Sequence, residues 1–347
     1  MDYLKPNLKL YNVPWTAVDF NGMPYRRLGR SGLKVSDVGF GTWKIGYPDT
    51  CDDSRVDAGM AMKMFDRAIE LGVTHWDTAN RYNNASGNSE RIIGLWFKAN
   101  PDQRRNVVLA TKMFGGMDGR TPNHSRLSRT NIVESVYASL KRLQLDYVDI
   151  LYFHGFDPET PVEESLETVE DLVRRDLVRH FAVSNFSREQ LESYRRMEER
   201  TSARSRVLAV QNQFDILNGE AKHAGALNFC AESGISFVAF SPLARGLLSE
   251  RYLKPSAAGK GDRLFDEGTL EKDLNPAVVK KLSALDIVGR KWGMGITQLA
   301  LAYMLTLPGM GPVIPSSTSI EQLEKNAAAG KVRLDDEQKA QLKKILA

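Results

Sequence analysis

Four side chains in this sequence, Asp77, Tyr82, Lys112 and His154, are of types that together could deliver a proton to a reacting oxygen. A phenol with a pKa of about 10 is a poor acid at neutral pH. A neighbouring ammonium stabilises the phenolate and lowers that value, and a carboxylate can hold the ammonium in place. An imidazole can hydrogen-bond an oxygen that gains charge and so orient it. Each residue also has a bland reading. Asp77 and Lys112 could be a structural ion pair, Tyr82 a loop aromatic and His154 a hydrogen-bonded core histidine. Their common position argues against coincidence, because each falls at or just beyond the same end of a short apolar run.

Those runs predict strands at 38–43, 74–78, 107–112, 148–154, 181–185, 208–214, 237–243 and 312–315. Most are continuously apolar, which suits parallel strands buried on both faces. Between them, helical periodicity marks 59–71, 89–99, 131–143, 162–175, 188–200, 220–233, 276–291 and 297–307, with Thr297 the expected N-cap of the last. Two further helices are expected at 320–328 and 335–346. Eight strands alternating with helices predict an α/β fold of the (β/α)8 TIM-barrel kind, whose functional residues sit at strand C-termini. An open dinucleotide-binding sheet would want G-x-G-x-x-G after its first strand. The G-x-G spacings opened by Gly39, Gly259, Gly293 and Gly309 all lack the third glycine. Residues 25–35 read as an N-terminal β-hairpin whose turn is bracketed by Gly29 and Gly32. The expected organisation is an N-terminal extension, 1–24, and one barrel domain, 25–347.

The 347 residues carry 47 Lys and Arg against 43 Asp and Glu, dispersed along the chain, which gives no basis for a nucleic-acid partner. Residues 292–320 hold no charge, but Gln298, Thr306, Pro308, Gly309, Gly311, Pro312 and Pro315 interrupt them, so no membrane span is expected. Cys51 and Cys230 form no CxxC, and the N-terminus lacks a secretory pattern, so a cytoplasmic location is expected. The five histidines show no metal-ligand spacing, no G-x-S-x-G elbow is present, and no acid ends the seventh strand as a glycosidase would want.

Four motifs in order resemble the aldo-keto reductases. They are Asp77-Thr-Ala-Asn-Arg-Tyr82 followed by Gly87-Asn-Ser-Glu-Arg-Ile-Ile-Gly94, then Val183-Ser-Asn-Phe-Ser187, Gln211-Asn-Gln-Phe214 and Phe240-Ser-Pro-Leu-Ala-Arg-Gly-Leu-Leu248. The resemblance runs from about Tyr25 to the C-terminus. It implies carbonyl reduction with hydride from a nicotinamide and a proton from Tyr82. In that scheme Lys112 tunes Tyr82, Asp77 holds Lys112, and His154 orients the carbonyl.

The same resemblance implies a cofactor site that includes Thr42, Trp43, Ser184, Asn185 and Gln211, with Phe240 stacking on the nicotinamide in place of the usual Tyr. Ser241, Pro242, Leu243, Arg245, Gly246, Arg251 and Arg263 belong to a long loop, 244–274, and the strand before it, which would meet the pyrophosphate and adenine. Ile314, Ser316, Ser317, Thr318, Gln322 and Asn326 would take the adenosine end. Many relatives place Lys and Arg where Ser316 and Gln322 stand, and hydroxyls and helix amides there suit a phosphate or a ribose diol; because the family mostly uses NADPH, it is the expected cofactor with NADH as the other candidate, and no metal is expected.

The expected partner is a small carbonyl substrate. Its pocket would include Trp43, Tyr82, His154 and the loops 114–130 and 212–218. Gly155 stands where several relatives carry a bulky residue. It reads either as room for a hindered or ring ketone, such as a keto sugar or a polycyclic, or as a backbone turn requirement. The alternative function is a nicotinamide-binding regulatory protein of the potassium-channel β-subunit type. Oligomeric state has no signal in the sequence.

Overall fold

The computed structural model describes residues 16–117, 119–201, 203–253 and 258–347. Residues 1–15 of the expected extension, residue 118 of the expected substrate loop and residues 254–257 of the expected cofactor loop lie outside the described residues.

An antiparallel sheet of β1 (Asp19–Phe20), β2 (Met23–Arg27) and β3 (Lys34–Ser36) opens the chain, so the hairpin gains a short strand before the expected start. Eight parallel strands follow: β4 (Phe40–Gly41), β5 (His75–Asp77), β6 (Val108–Met113), β7 (Val148–Phe153), β8 (Val178–Ser184), β9 (Val207–Gln213), β10 (Ser236–Phe240) and β11 (Met310–Ile314). They pair in chain order from β4 to β11. Bridges Val38↔Val313 and Gly41↔Ser316 bring the last strand back to the first, closing the (β/α)8 barrel. Closure removes the sheet edges.

Ala110, Ile150, Tyr152, Ala182, Ala209, Val238 and Ile314 fill the barrel interior, and Leu28 and Val35 of the hairpin pack against them. The hairpin plugs the end at which the strands begin. Gly29 N donates to Ser236 Oγ at 2.7 Å, and Arg26 Nη1 donates to the carbonyls of Met310 (2.9 Å) and Gly311 (3.0 Å). Gly29 takes a φ of +56°, and a Cβ there would meet Leu208 O at 2.3 Å, so the plug needs a glycine. Only the C-terminal end of the barrel is left for chemistry.

Helix boundaries differ from expectation in two informative places. The expected helix 220–233 spans Ala226–Ser233, because Gly225 adopts a φ of +86° and Glu220 accepts from Gly225 N and Leu227 N instead of continuing the helix. Thr297 is not an N-cap. Gly295 holds that position before helix Ile296–Met304, and Thr297 Oγ1 donates to Leu248 O at 2.9 Å, tying the helix to the loop after β10. The uncharged stretch is a helix, a turn and the buried strand β11. Among the described residues no helix is long and apolar enough to cross a membrane.

Helix Asn88–Ala99 fixes the ends of three strands through side chains. Ser89 Oγ lies 2.8 Å from Thr42 Oγ1 and 2.9 Å from Thr78 Oγ1. Glu90, fully buried, accepts from Thr111 Oγ1 at 2.6 Å and pairs with Arg142 at 2.6 Å. Gly94 lets this helix touch helix Arg129–Leu143, since a Cβ would sit 2.5 Å from Arg142 O and 2.7 Å from the Leu143 carbonyl. The glycine that closes the motif is therefore a packing requirement. Gly94→Ala should destabilise the protein by about 1–3 kcal/mol through overpacking. Urea unfolding checks this, and an unchanged midpoint would refute the packing account.

Candidate active site

Backbone bonds set the stage at the open end. Thr42 N and Oγ1 both donate to Asp77 O, at 3.0 and 2.9 Å, and Asn80 N donates to Lys112 O at 3.0 Å. The turn after β5 carries Tyr82, and left-handed Asn83, Asn84 and Ala85 bend the chain away behind it. Asn83 Nδ2 anchors that bend to Ile45 O at 2.6 Å.

Asp77, Tyr82 and Lys112 meet directly. Lys112 Nζ lies 2.6 Å from Asp77 Oδ2, 2.9 Å from Thr78 O and 2.7 Å from Tyr82 Oη. An ammonium has three N–H bonds, and these partners account for all of them. The Tyr82 hydroxyl therefore accepts from Lys112 and turns its own proton to Asp77 Oδ2 at 3.1 Å. The ion pair is buried, with both side chains at most 3% exposed. Gln211 Nε2 completes the carboxylate, donating to Asp77 Oδ1 at 2.7 Å. His154 follows β7, and its ring stands nearly perpendicular to that of Tyr82, centroids 6.1 Å apart.

The electrostatics correct one expectation. Burial and the Asp77 carboxylate hold the Tyr82 phenol well above its ordinary value, although Lys112 touches it. Burial is the larger cause, and the Asp77 carboxylate beside Lys112 adds to it. Burial also pushes Lys112 down, against the pull of Asp77. His154 is driven to about 3 by burial and then by Lys112, so its imidazole is neutral above mildly acidic pH. Arg81 adds a smaller push in the same direction, and its guanidinium donates to Gly116 O at the mouth of the site.

The expected cofactor residues fall into two groups. Ser184 and Phe240 end β8 and β10, Asn185 directly follows β8, and Gln211 lies within β9 near its end. Ser184 Oγ donates to Gln211 O at 2.8 Å, and Asn185 Nδ2 donates to His154 O at 2.9 Å. Beyond them a groove of about 540 Å³ is lined by Trp43, Ser241, Pro242, Leu243, Arg245, Gly246, Arg251, Arg263, Ser316, Thr318, Gln322 and Asn326. Thr42, Ile314 and Ser317 lie behind this lining: Thr42 bonds Ser89, Ile314 packs inside the barrel, and Ser317 Oγ accepts from Asn326 Nδ2 at 3.0 Å.

The three loop arginines face carboxylates of their own loop. Arg245 pairs with Glu267 at 3.1 Å and with Asp273, Arg251 with Asp262, and Arg263 with Glu267 at 2.7 Å. Arg55 reaches over from the other rim to Asp266 at 2.9 Å. The loop thus lies folded over the groove as a network of ion pairs. Arg263 and Lys44 both stack on Trp43, at 4.5 and 4.3 Å from its ring. Lys44, Arg55, Ser319 and Lys325 line the groove without having been expected there. Adjacency to Trp43 pointed to Lys44, and the i,i+4 pair with Glu321 at 2.8 Å makes Lys325 look like an ordinary helix-surface lysine.

At the end of β11, Ser319 caps helix Ile320–Gly330 by accepting from Gln322 N, and Gln322 Oε1 accepts in turn from Thr318 N at 2.8 Å. The groove therefore meets hydroxyls and the start of a helix, a setting that suits phosphate or ribose oxygens. Gly155 does not hold a left-handed φ, and a Cβ there would make only ordinary contacts with Phe114 at 3.8 Å. The backbone does not require this glycine, and the Phe114 ring lies beside it. Among the described residues there is no group of acids, histidines and cysteines able to hold a metal.

A family model described as the aldo/keto reductase family matches residues 37–347. The chain is 30% identical over 344 residues to the aldo-keto reductase AFTS1 of Alternaria alternata, covering 92% of this chain and 90% of that one. It is 28% identical over 316 residues to an L-glyceraldehyde 3-phosphate reductase of Escherichia coli K12 (89% and 88% covered). It is 29% identical over 309 residues to a probable voltage-gated potassium channel subunit beta of Arabidopsis thaliana (88% and 91% covered). A crystal structure of the thermostable aldo-keto reductase Tm1743 with the inhibitor epalrestat superposes with a TM-score of 0.71 at 29% identity, over 93% of this chain and 100% of that one.

Removing Lys112 strands a buried carboxylate, so Lys112→Met should destabilise the fold by about 3–5 kcal/mol. Tyr82→Phe, which removes one hydroxyl from a half-buried side chain whose partners keep each other, should cost no more than about 1–2 kcal/mol. Equal urea midpoints for the two variants would contradict the ion-pair account.

Proposed function

The chain belongs to the aldo-keto reductase family, an NAD(P)H-dependent oxidoreductase by that membership, and we propose that it reduces a hindered or ring ketone to the alcohol with Tyr82 as proton donor. The observation that carries this reading is the direct contact of Lys112 Nζ with both Tyr82 Oη and Asp77 in a buried pocket. The groove suits a dinucleotide: its volume lies within the usual range for ligand sites, and it offers basic side chains, hydroxyls and a helix start along one side. Trp43, Ser241 and Leu243 would hold its centre, and Ser316, Thr318, Ser319 and Lys325 its adenosine end. Asn185, whose Nδ2 is bound to His154 O, keeps its carbonyl oxygen for an incoming N–H. We take NADPH as the preferred cofactor because the groove lining carries more Lys and Arg than Asp and Glu. A bound nicotinamide would supply the hydride.

The chain's own residues do the rest. His154, neutral, donates an N–H to the carbonyl oxygen and sets its direction. Tyr82 turns its O–H from Asp77 to that oxygen and transfers the proton as the negative charge builds. Lys112 remains bonded to the phenolate left behind, and Asp77 keeps Lys112 charged and in place. The raised pKa of Tyr82 has a use, because the phenol stays protonated until the developing oxyanion draws the proton away. The space beside Gly155, with Trp43, Phe114 and the loop 114–130, would take the bulk of a keto sugar or polycyclic ketone. The free cysteines are in keeping with a reducing cytoplasmic setting. The similarity to the Arabidopsis channel subunit supports a second reading, a nicotinamide-binding regulator with little turnover.

One assay separates these readings. Absorbance at about 340 nm should fall when protein, NADPH and ring ketones are mixed, and Tyr82→Phe should lower kcat by a factor of about 10²–10⁴. NADPH binding without turnover would favour the regulator, and tighter binding of NADH would reassign the cofactor. With His154 titrating at about 3, kcat/KM for reduction should show no loss near pH 6.5 on acidification; an acid limb there would contradict a neutral His154.

A further inference from the structure

Gln211 sits almost directly across the barrel from Asp77, on β9 against β5, four strands away in either direction around the ring. It is 1% exposed, and its side-chain amide reaches Asp77 Oδ1 at 2.7 Å. A carboxylate only accepts, so the half of the amide facing it is the NH2. The second carboxylate oxygen is occupied by Lys112 Nζ at 2.6 Å and the Tyr82 hydroxyl at 3.1 Å. The main chain of Gln211 is engaged as well, its carbonyl accepting from Ser184 Oγ at 2.8 Å and Asn185 N at 3.1 Å. One residue therefore couples the ends of β8 and β9 to the carboxylate on β5.

The family resemblance implies a different task for Gln211, a hydrogen bond to the nicotinamide carboxamide. The geometry spends one of its N–H groups on Asp77. Below the amide lie Tyr152 and His75, both buried. The Tyr152 hydroxyl has no partner in good hydrogen-bond geometry, although Gln211 is a polar neighbour, and neither ring nitrogen of His75 is bonded. Gln211 is the neutral side chain that the structure bonds to Asp77 Oδ1 from the barrel side.

We propose that Gln211 is a positioning residue for Asp77: its amide locks the carboxylate in the rotation that keeps Lys112 beneath the Tyr82 phenol. Without that lock, Asp77 is free to turn about its side-chain bonds, and Lys112 follows its counter-charge away from the phenol. The charged and titratable groups facing Asp77 are Lys112 from β6, Tyr82 from the turn after β5, Tyr152 from β7 and, on its own strand, His75; His154 lies beyond Lys112. Burial holds His75 near 4 and His154 near 3 and keeps both tyrosines protonated, so none of these changes charge between mildly acidic and neutral pH.

The proposal rests on the reductase reading for its kinetic consequence but not for its structural one, and the test uses both. Gln211→Met and Gln211→Glu would be made in the wild-type and Asp77→Asn backgrounds. Turnover of one ketone, NADPH affinity by nucleotide fluorescence and urea midpoints would be followed from pH 5 to 8. In Gln211→Met, kcat should fall about tenfold or more while NADPH affinity stays within about threefold. Gln211→Glu carries the sharper signature. As a neutral acid, the new side chain donates its O–H to Asp77; ionised, it repels it. Its raised pKa in the fold means that stability and kcat stand near wild type at low pH and decline as pH rises through that value.

The pH-dependent loss of urea stability should shrink markedly when Asp77→Asn is added, because the repelling charge is gone and only burial still opposes ionisation. That result requires no turnover, so a protein without carbonyl reductase activity would still report on the contact. If Gln211→Glu does not fold, Gln211→Met and its double variant with Asp77→Asn carry the same comparison. Additive stabilities in that cycle would overturn the proposal. So would a Gln211→Met protein that keeps kcat within about twofold but loses NADPH affinity about tenfold, since that split assigns Gln211 to the cofactor.

Discussion

The buried ion pair of Asp77 and Lys112 is the constraint around which the open end of the barrel is organised. Charges 2.6 Å apart and almost fully removed from water are costly unless every remaining bond is made. The structure makes them. Lys112 spends its three protons on Asp77, Thr78 O and Tyr82, and Asp77 fills its second oxygen with Gln211. Because both charges are held by strand ends, the pair needs β5, β6 and β9 in one register, which a closed barrel provides. Ser89, Glu90 and Gly94 then pin the same strand ends from outside through one helix. A motif that reads as a signature in the sequence is, in physical terms, the outer brace of the ion pair.

The pair also explains why the phenol behaves differently from a simple Tyr–Lys couple. An isolated ammonium beside Tyr82 would lower its pKa and leave phenolate present in the resting site. Matching Lys112 with Asp77 removes that bias, and burial does the rest, so Tyr82 keeps its proton. In the proposed reaction a phenol held this way would give up its proton only as charge appears on the substrate oxygen, and Lys112 would serve the phenolate that results. His154 is neutral for a related reason: in a dry site next to Lys112 a second positive charge is too expensive.

The strand rhythm, the end of each strand that carries polar residues and the four residues Asp77, Tyr82, Lys112 and His154 were legible in the sequence, since all three depend on chain position and periodicity. Through-space pairing was not legible. Arg245, Arg251 and Arg263 read as groove cations, but their guanidiniums are paired with Glu267, Asp273 and Asp262, acids from the same loop whose facing cannot be deduced from spacing. The direction of the Tyr82 shift depended first on how deeply the phenol is buried and then on its distance from Asp77, neither of which spacing reveals. Thr297 had the right type for a cap but bonds Leu248 O instead, because a longer-range partner was available. The turn reading of Gly155 could be set aside only once its φ and its contact with Phe114 were known.

The most direct test of the ion pair's role in chemistry is kcat for one reducible ketone in Lys112→Met, measured under conditions where NADPH binding shows the variant to be folded. The account predicts that NADPH affinity changes by no more than a few-fold while kcat falls by about 10² or more, because the phenolate formed from Tyr82 loses its counter-charge. A folded Lys112→Met protein that binds NADPH and reduces the ketone at close to the wild-type rate would contradict it.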